Sequence, residues 1–255
     1  MKLAGLLLLM FFLGGVSVSS ATNNQIIAGA GTSTELVKLF VGGFVKRAGV
    51  TNTSVSVMET SVTHSGGLKH TDSFLFGRSG RPLNKGELAS GKKEILLGRV
   101  PISFATGLEA GVKGLPLAKV KDIFTRHIEQ WKEVGGAETA AVMTLGIAAD
   151  DGVLTELKNA YPWFRDVTFD LNFKTDEELV KYMSSPLGRH AITFGTKSQF
   201  RKSQLLNVPE VDLSLKVGLI YDQKNENHPL VQAAKQFSTS KEWKDLLASQ
   251  GYESI

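Results

Sequence analysis

The sequence predicts an α/β protein, and three observations carry that reading. Strand-like and helix-like patterns alternate along the chain. Three times an apolar run passes through a loop of glycine, hydroxyl and aspartate residues into a helical pattern, in "AGAGTSTEL", "FGRSGRPLNKGEL" and "AADDGVLTEL". The 255 residues suffice for two small lobes or one large domain.

Taken in order, Gln25–Ala28 reads as a short buried strand. Thr34–Lys46 reads as a helix with Leu36, Leu39, Phe40, Gly43 and Phe44 on one face. Ser54–Thr60 alternates and predicts a strand, as does "DSFLFG" over Asp72–Gly77, with a helix around Lys85–Ser90. Ile95–Gly107 contains a strand able to carry the chain out of a first lobe, and Ala118–Thr125 a helix that ends in a loop with Trp131. "VMTLGIAADDGVLTELKNAY" repeats the strand, loop, helix layout. "DEELVKYMSS" predicts a helix, and "AITFGT" and "LKVGLIYD" predict strands. "HPLVQAAKQFSTS" and "KEWKDLLASQG" are the last helices, the second closed by Gly251 as a C-terminal cap.

Hydrophobic residues make up 42% and charged residues 21%, the composition of a globular chain. The net charge of +4 is mild and its lysines and arginines are scattered, so a nucleic-acid partner is not expected. Residues 1–21 have the pattern of a cleavable signal peptide: Lys2, an apolar centre from Leu3 to Val16, and Ser19-Ser20-Ala21 at the cleavage site. The apolar centre is shorter than the roughly 20 residues a membrane-spanning helix needs. There is no cysteine, hence no disulfide and no thiol for a lipid anchor. An exported, untethered protein is retained only in a closed compartment, which points to a periplasm.

The three loop-to-helix segments carry the candidate chemistry. A helix start presents unpaired N–H groups and about half a positive charge, which suits an anion. Each segment also has a plain structural reading. Thr32 and Glu35 have the spacing of a capping box, Pro82 favours a tight β-to-α connection, and Asp150-Asp151 can cap the third helix. Gly29-Ala30-Gly31 begins a dinucleotide fingerprint, but Thr34 stands at its third glycine position. The five histidines lack metal-ligand spacing, and no nucleophile–base pair or Gly-x-Ser-x-Gly element appears, so neither a metal, a cofactor nor catalysis is expected. Trp131, Trp163 and Trp243 read as packing residues.

Several stretches together resemble the periplasmic solute-binding proteins of phosphate ABC importers. "IIAGAGTSTELVKLFVGGF" is similar to the family's opening strand, glycine loop and first helix, and "GRSGRPLNKGEL" to its Ser-containing loop. "VKDIFTRHIEQWKEVGG", "SPLGRHAITFGTKS" and "FSTSKEWKDLLASQGY" resemble later elements, in the same order. The resemblance implies a type II periplasmic binding protein-like fold, with mixed sheets, flanking helices and a hinge between two lobes. It implies a first lobe over 22–104, a second over 105–200, and a return to the first over 201–255. It also implies a non-enzymatic, monomeric receptor that binds a small oxyanion, most readily phosphate, between the lobes and delivers it to a membrane permease. Ligand contacts would then fall on Thr32, Ser33, Thr34, Ser79, Asp151, Gly152 and Thr155, with Arg78 and Arg81 as further candidates.

The chain departs from the family pattern at three positions. The third-loop Arg and Ser are replaced by Ala149 and Val153, and the acceptor Asp beside the second-loop Ser by Gly80. These changes remove a charge-assisted donor and a discriminating acceptor. They motivate an alternative in which the cleft serves a sensory or protein-interaction module. A hydrolase acting on phosphate esters through Asp150 or Asp151 is a third reading.

Overall fold

A computed structural model describes residues 23–47 and 53–255. The signal-peptide reading over residues 1–21 lies outside the described residues. The strands are β1 (Asn23–Gly29), β2 (Thr53–Val57), β3 (Gly77–Arg78), β4 (Lys92–Thr106), β5 (Met143–Ile147), β6 (Leu171–Phe173), β7 (Ala191–Thr196), β8 (Leu205–Leu206) and β9 (Ser214–Asp222). The α-helices are α1 (Thr34–Arg47), α2 (His64–His70), α3 (Lys85–Ala89), α4 (Leu117–Phe124), α5 (Gly152–Ala160), α6 (Asp176–Met183), α7 (Pro229–Ser238) and α8 (Lys241–Ser249).

The strands lie in the order β2-β1-β3-β9-β4-β7-β5-β6, with β8 also on β4. The β1–β2, β1–β3, β5–β6 and β5–β7 pairs are parallel, whereas β4 is antiparallel to β7, β8 and β9. One end of β4 pairs β9 from Lys92 to Pro101, and the other pairs β7 from Ile102 to Thr106. β4 is therefore the strand common to both halves, and its 15 residues are long enough to serve each.

The halves have separate aromatic centres. In the first, Phe40 of α1 stacks on Phe44 and meets the edge of Trp243 of α8, with ring centroids 5.6 and 5.1 Å apart. The Trp243 indole N–H donates to the Leu97 carbonyl at 2.7 Å, which ties α8 to β4. In the second half, Phe164 packs against Phe124 and Phe194, both at 5.2 Å. Trp131 is fully buried, its N–H given to the His190 carbonyl, and Trp163 packs against Phe164.

The structure departs from the sequence reading in a few places. "DSFLFG" is a turn rather than a strand, and only Gly77–Arg78 join the sheet. The α2 helix carries two glycines that mask its helical pattern, and the sequence reading misses it. It likewise misses β6, three residues with Leu171 and Asn172 exposed, which leaves no apolar signal. Gly251 does close α8, with φ at +74°.

The first centre predicts its own weight. Phe40→Ala should destabilise the protein by about 3–5 kcal/mol, because a fully buried ring leaves a cavity its neighbours cannot close. Urea unfolding followed by tryptophan fluorescence measures it.

Candidate functional site

Parallel strands bring their carboxyl ends to one edge, and loops that leave this edge can share a crevice. Here β1 leads into the first loop (Ala30–Ser33), β3 into the second (Ser79–Asn84), and β5 into the third (Ala148–Asp151). β6 leads into a fourth, Lys174-Thr175, which ends at Asp176 on the first turn of α6. Ala30, Gly80, Asp150, Asp151, Gly152 and Asp176 all line one gap, together with Val62, His64 and Lys174. The gap measures about 10 Å³, which is room for a single water at most. At its tightest point a Cβ on Gly152 would stand 1.8 Å from the Gly80 carbonyl oxygen. Only glycine permits that approach between the two halves.

The first loop enters α1 through a 3-10 turn over Gly31–Ser33. Thr32 does not cap it: its Oγ1 is buried and has no partner, and Glu35 turns away to pair with Lys38. Across the gap the Asp176 side chain lies against this turn: a Cβ on Gly31 would stand 2.7 Å from its Oδ2, and the Gly31 and Thr32 N–H groups and the Gln199 side chain are close enough to favour its charge. The first helix start thus faces an acidic side chain supplied by the chain itself, whose charge the N–H groups favour and burial opposes. The Ser33 hydroxyl donates back to the Ala30 carbonyl at 3.1 Å. Thr34 opens α1 and lines a neighbouring pocket with Gly31 and Asp176.

The second loop is likewise satisfied from within. Ser79 is buried, its hydroxyl donating to the Gly218 carbonyl and accepting from the Gly218 N–H at 3.1 and 2.7 Å. The Gly80 N–H donates to His64 Nδ1 at 3.1 Å, which leaves the ring proton on Nε2, 3.3 Å from Glu87. Burial and the Arg81 charge lower the His64 pKa, keeping the ring neutral. Arg81 makes a two-pronged pair with Glu87 at 2.8 and 2.9 Å and caps the Pro82 carbonyl, so it braces the loop. Burial works to raise the Glu87 pKa, but Arg81, the Asn84 N–H and His64 outweigh it and bring the group to about 2.

Arg78 lies behind the first loop, fully buried, with Nη1 and Nη2 given to the Met58 and Gly29 carbonyls at 2.7 and 2.9 Å. Burial lowers its pKa to about 10, against the opposing pull of Glu59, Asp176 and Glu35. It stays protonated at neutral pH, a fixed positive charge behind the Asp176 carboxylate.

In the third loop Asp151 caps α5, its Oδ1 accepting from the Leu154 N–H at 2.9 Å. The Thr155 hydroxyl donates to the Asp151 carbonyl at 2.7 Å, within its own helix. Val153 is buried and Ala149 exposed, so neither puts a donor into the gap. Asp150 accepts from the Ser65 hydroxyl at 2.9 Å. Burial raises the pKa of Asp151 to about 8, helped by the charges of Asp176 and Asp150, and burial raises that of Asp176 too. The two carboxyls titrate as a pair.

Two of the groups that decide this site, His64 and Asp176, are not among the residues singled out from sequence. The signal for Asp176 is "KTDEE", a Thr-x-x-Glu capping box that the structure forms between Thr175 and Glu178 and that marks a fourth helix start. Among the described residues no cluster suits a metal ion and no helix is long and apolar enough to cross a membrane.

No protein-family model and no curated protein sequence matches the chain. Solved structures do match in shape. A Clostridium perfringens protein described as a phosphate ABC transporter substrate-binding protein, with bound phosphate, superposes with a TM-score of 0.70 at 18% identity, covering 91% of this chain and 100% of that one. The phosphate-binding protein from Stenotrophomonas maltophilia gives 0.63 at 10% identity over 91% and 90% of the two chains. The effector-binding domain of QuiR in complex with shikimate gives 0.56 at 14% identity over 86% and 96%. The fold is that of the type II periplasmic binding proteins. That fold serves both transport receptors and regulatory effector domains, so function must be argued from the residues at the gap.

Two outcomes follow. A carboxyl raised in the folded state favours folding below its ordinary pKa near 3.8, and that favour is lost as pH rises through about 8. Asp151→Asn keeps a capping oxygen without the charge. Relative to the parent chain it should therefore gain stability steadily from pH 5 to pH 8, by a few °C in melting temperature. Gly152→Ala should push the halves apart, raising the radius of gyration in small-angle X-ray scattering.

Proposed function

We propose that the protein is a non-enzymatic solute receptor that binds a small oxyanion between the two halves of its sheet. The observation that carries this reading is the Asp176 side chain seated against the Gly31–Ser33 turn, its Oδ2 2.7 Å from where a Gly31 Cβ would stand, an acidic group already placed at the first helix start. The convergence of the second and third loops on the same gap supports it, as does the likeness in fold to proteins described as phosphate-binding. The halves act as lobes, divided near residues 104 and 200, that open and close by flexing β4 and its neighbours.

Phosphate is the ligand that the electrostatics favour. Asp150 and Asp151 border the gap, and the two nearby arginines are engaged in bracing it. A fully deprotonated dianion such as sulfate has no proton to give to the Asp150 carboxylate at the edge of the gap, whereas phosphate retains one. Delivery to the permease of an ABC importer from the periplasm, as a monomer, completes this reading. The contacts we assign are Thr32, the Gly31 and Thr32 N–H groups, and Asp151 with Gly152.

The tightness of the gap favours a second reading, in which the same fold is a sensory or protein-interaction module held closed by its own residues. Thermal melting separates the two. With 10 mM phosphate and a sub-millimolar site, the melting temperature should rise by about 5 °C or more, and sulfate should give a smaller rise. No response to phosphate, sulfate or molybdate favours the second reading.

A further inference from the structure

Two cavities meet at Asp176. On one side is the gap between the loops. On the other is an open pocket of about 250 Å³, lined by Gly31, Thr34, Ser61 and Gln199 among others. Asp176 lines both and stands as the wall between them. Two hydroxyls beside this wall are buried and have no partner: Thr32 Oγ1 in a residue 2% exposed, and Ser61 Oγ in a residue 6% exposed. Thr32 Oγ1 faces the second loop, 3.5 Å from where a Cβ on Gly80 would stand, and Ser61 lines the larger pocket.

Buried hydroxyls without partners are rare, because each loses the hydrogen bonds it makes in water. Their presence beside a seat that already holds a carboxylate points to a group with more oxygens than Asp176 has. A carboxylate offers two oxygens, and the Gly31, Thr32 and Asp176 N–H groups with the Gln199 side chain already crowd around them. A tetrahedral oxyanion offers four, enough for the same N–H groups and the idle Thr32 hydroxyl together. The Asp176 carboxylate and an incoming anion cannot share the seat, since like charges at contact repel strongly in a site shielded from water.

We propose that Asp176 is an internal competitor for the oxyanion: its carboxylate holds the Gly31 and Thr32 N–H groups and draws the two halves shut, and the ligand binds by taking over those N–H groups as the Asp176 side chain withdraws toward the larger pocket. This deepens the oxyanion reading given above and rests on it. The self-closed form lowers apparent affinity by the fraction of time the seat is occupied. It also means that the molecule, unlike a receptor closed only by its ligand, is shut in the absence of solute.

The test compares the parent chain with Asp176→Asn, which keeps the shape of the side chain and removes its charge, and with Gly31→Ala. At Gly31 an added Cβ would lie 2.7 Å from Asp176 Oδ2 and displace the carboxylate by contact instead. Small-angle scattering without any anion and calorimetry with inorganic phosphate are the two readouts. Both variants should have a larger radius of gyration than the parent, and Asp176→Asn should bind phosphate about tenfold more tightly. Combining the substitutions should open the molecule no further than either alone. Asp176→Asn that remains as compact as the parent overturns the proposal. So does weaker phosphate binding, which would make Asp176 a contact for the ligand. Should Asp176→Asn open while neither chain binds phosphate, the self-closing role stands and the oxyanion reading falls.

Discussion

The contact between the Asp176 side chain and the Gly31–Ser33 turn is the polar join between the two halves at the gap. Each half has its own aromatic centre, and the shared β4 strand runs through the apolar core that continues from one half into the other. What closes the seam is polar: a carboxylate at a helix start, backed by the buried cation of Arg78, and a glycine laid against a carbonyl. A helix start provides this at little conformational cost, because its N–H groups are fixed and unpaired before anything arrives. The arrangement carries a charge penalty. Asp151 and Asp176 share a space shielded from water, and burial pushes both toward the neutral form.

The same logic runs through the other loops. In each, the donor that a ligand would want has an acceptor at hand: His64 for Gly80, Gly218 for Ser79, Asp151 for its own helix. A crevice whose donors are answered at most positions, the Thr32 hydroxyl excepted, is rigid when shut. Any group entering the gap must therefore exchange hydrogen bonds with the protein as well as add its own.

Much of this architecture is legible in the sequence, and the parts that are not have physical reasons. The strand–loop–helix segments at Gln25, at Met143 and at the chain's end are strongly periodic, and they fold as read. The position of the gap follows from them, since strand ends of one parallel sheet must share an edge. The roles of single residues are another matter. Thr32-x-x-Glu35 has the letters of a capping box, yet a 3-10 turn intervenes and Lys38 claims the glutamate. Ser79 looks like a ligand donor until the register of β3 on β9 places it opposite Gly218. Asp176 is twenty-five residues from the third loop's Asp151, beyond a three-residue exposed strand, and its meeting with Gly31 is a fact of tertiary packing that no local pattern encodes.

The β4 strand bears on how the molecule holds together as a whole. It contributes pairings to β9 at one end and to β7 and β8 at the other, with a bulge between Leu96 and Gly98 where its partner's register slips. Neither half owns it. A cut in that strand would strand two incomplete sheets, each with a bare edge seeking a neighbour, so the chain has no smaller piece that is a finished protein. Its two bodies must be made, kept and lost together.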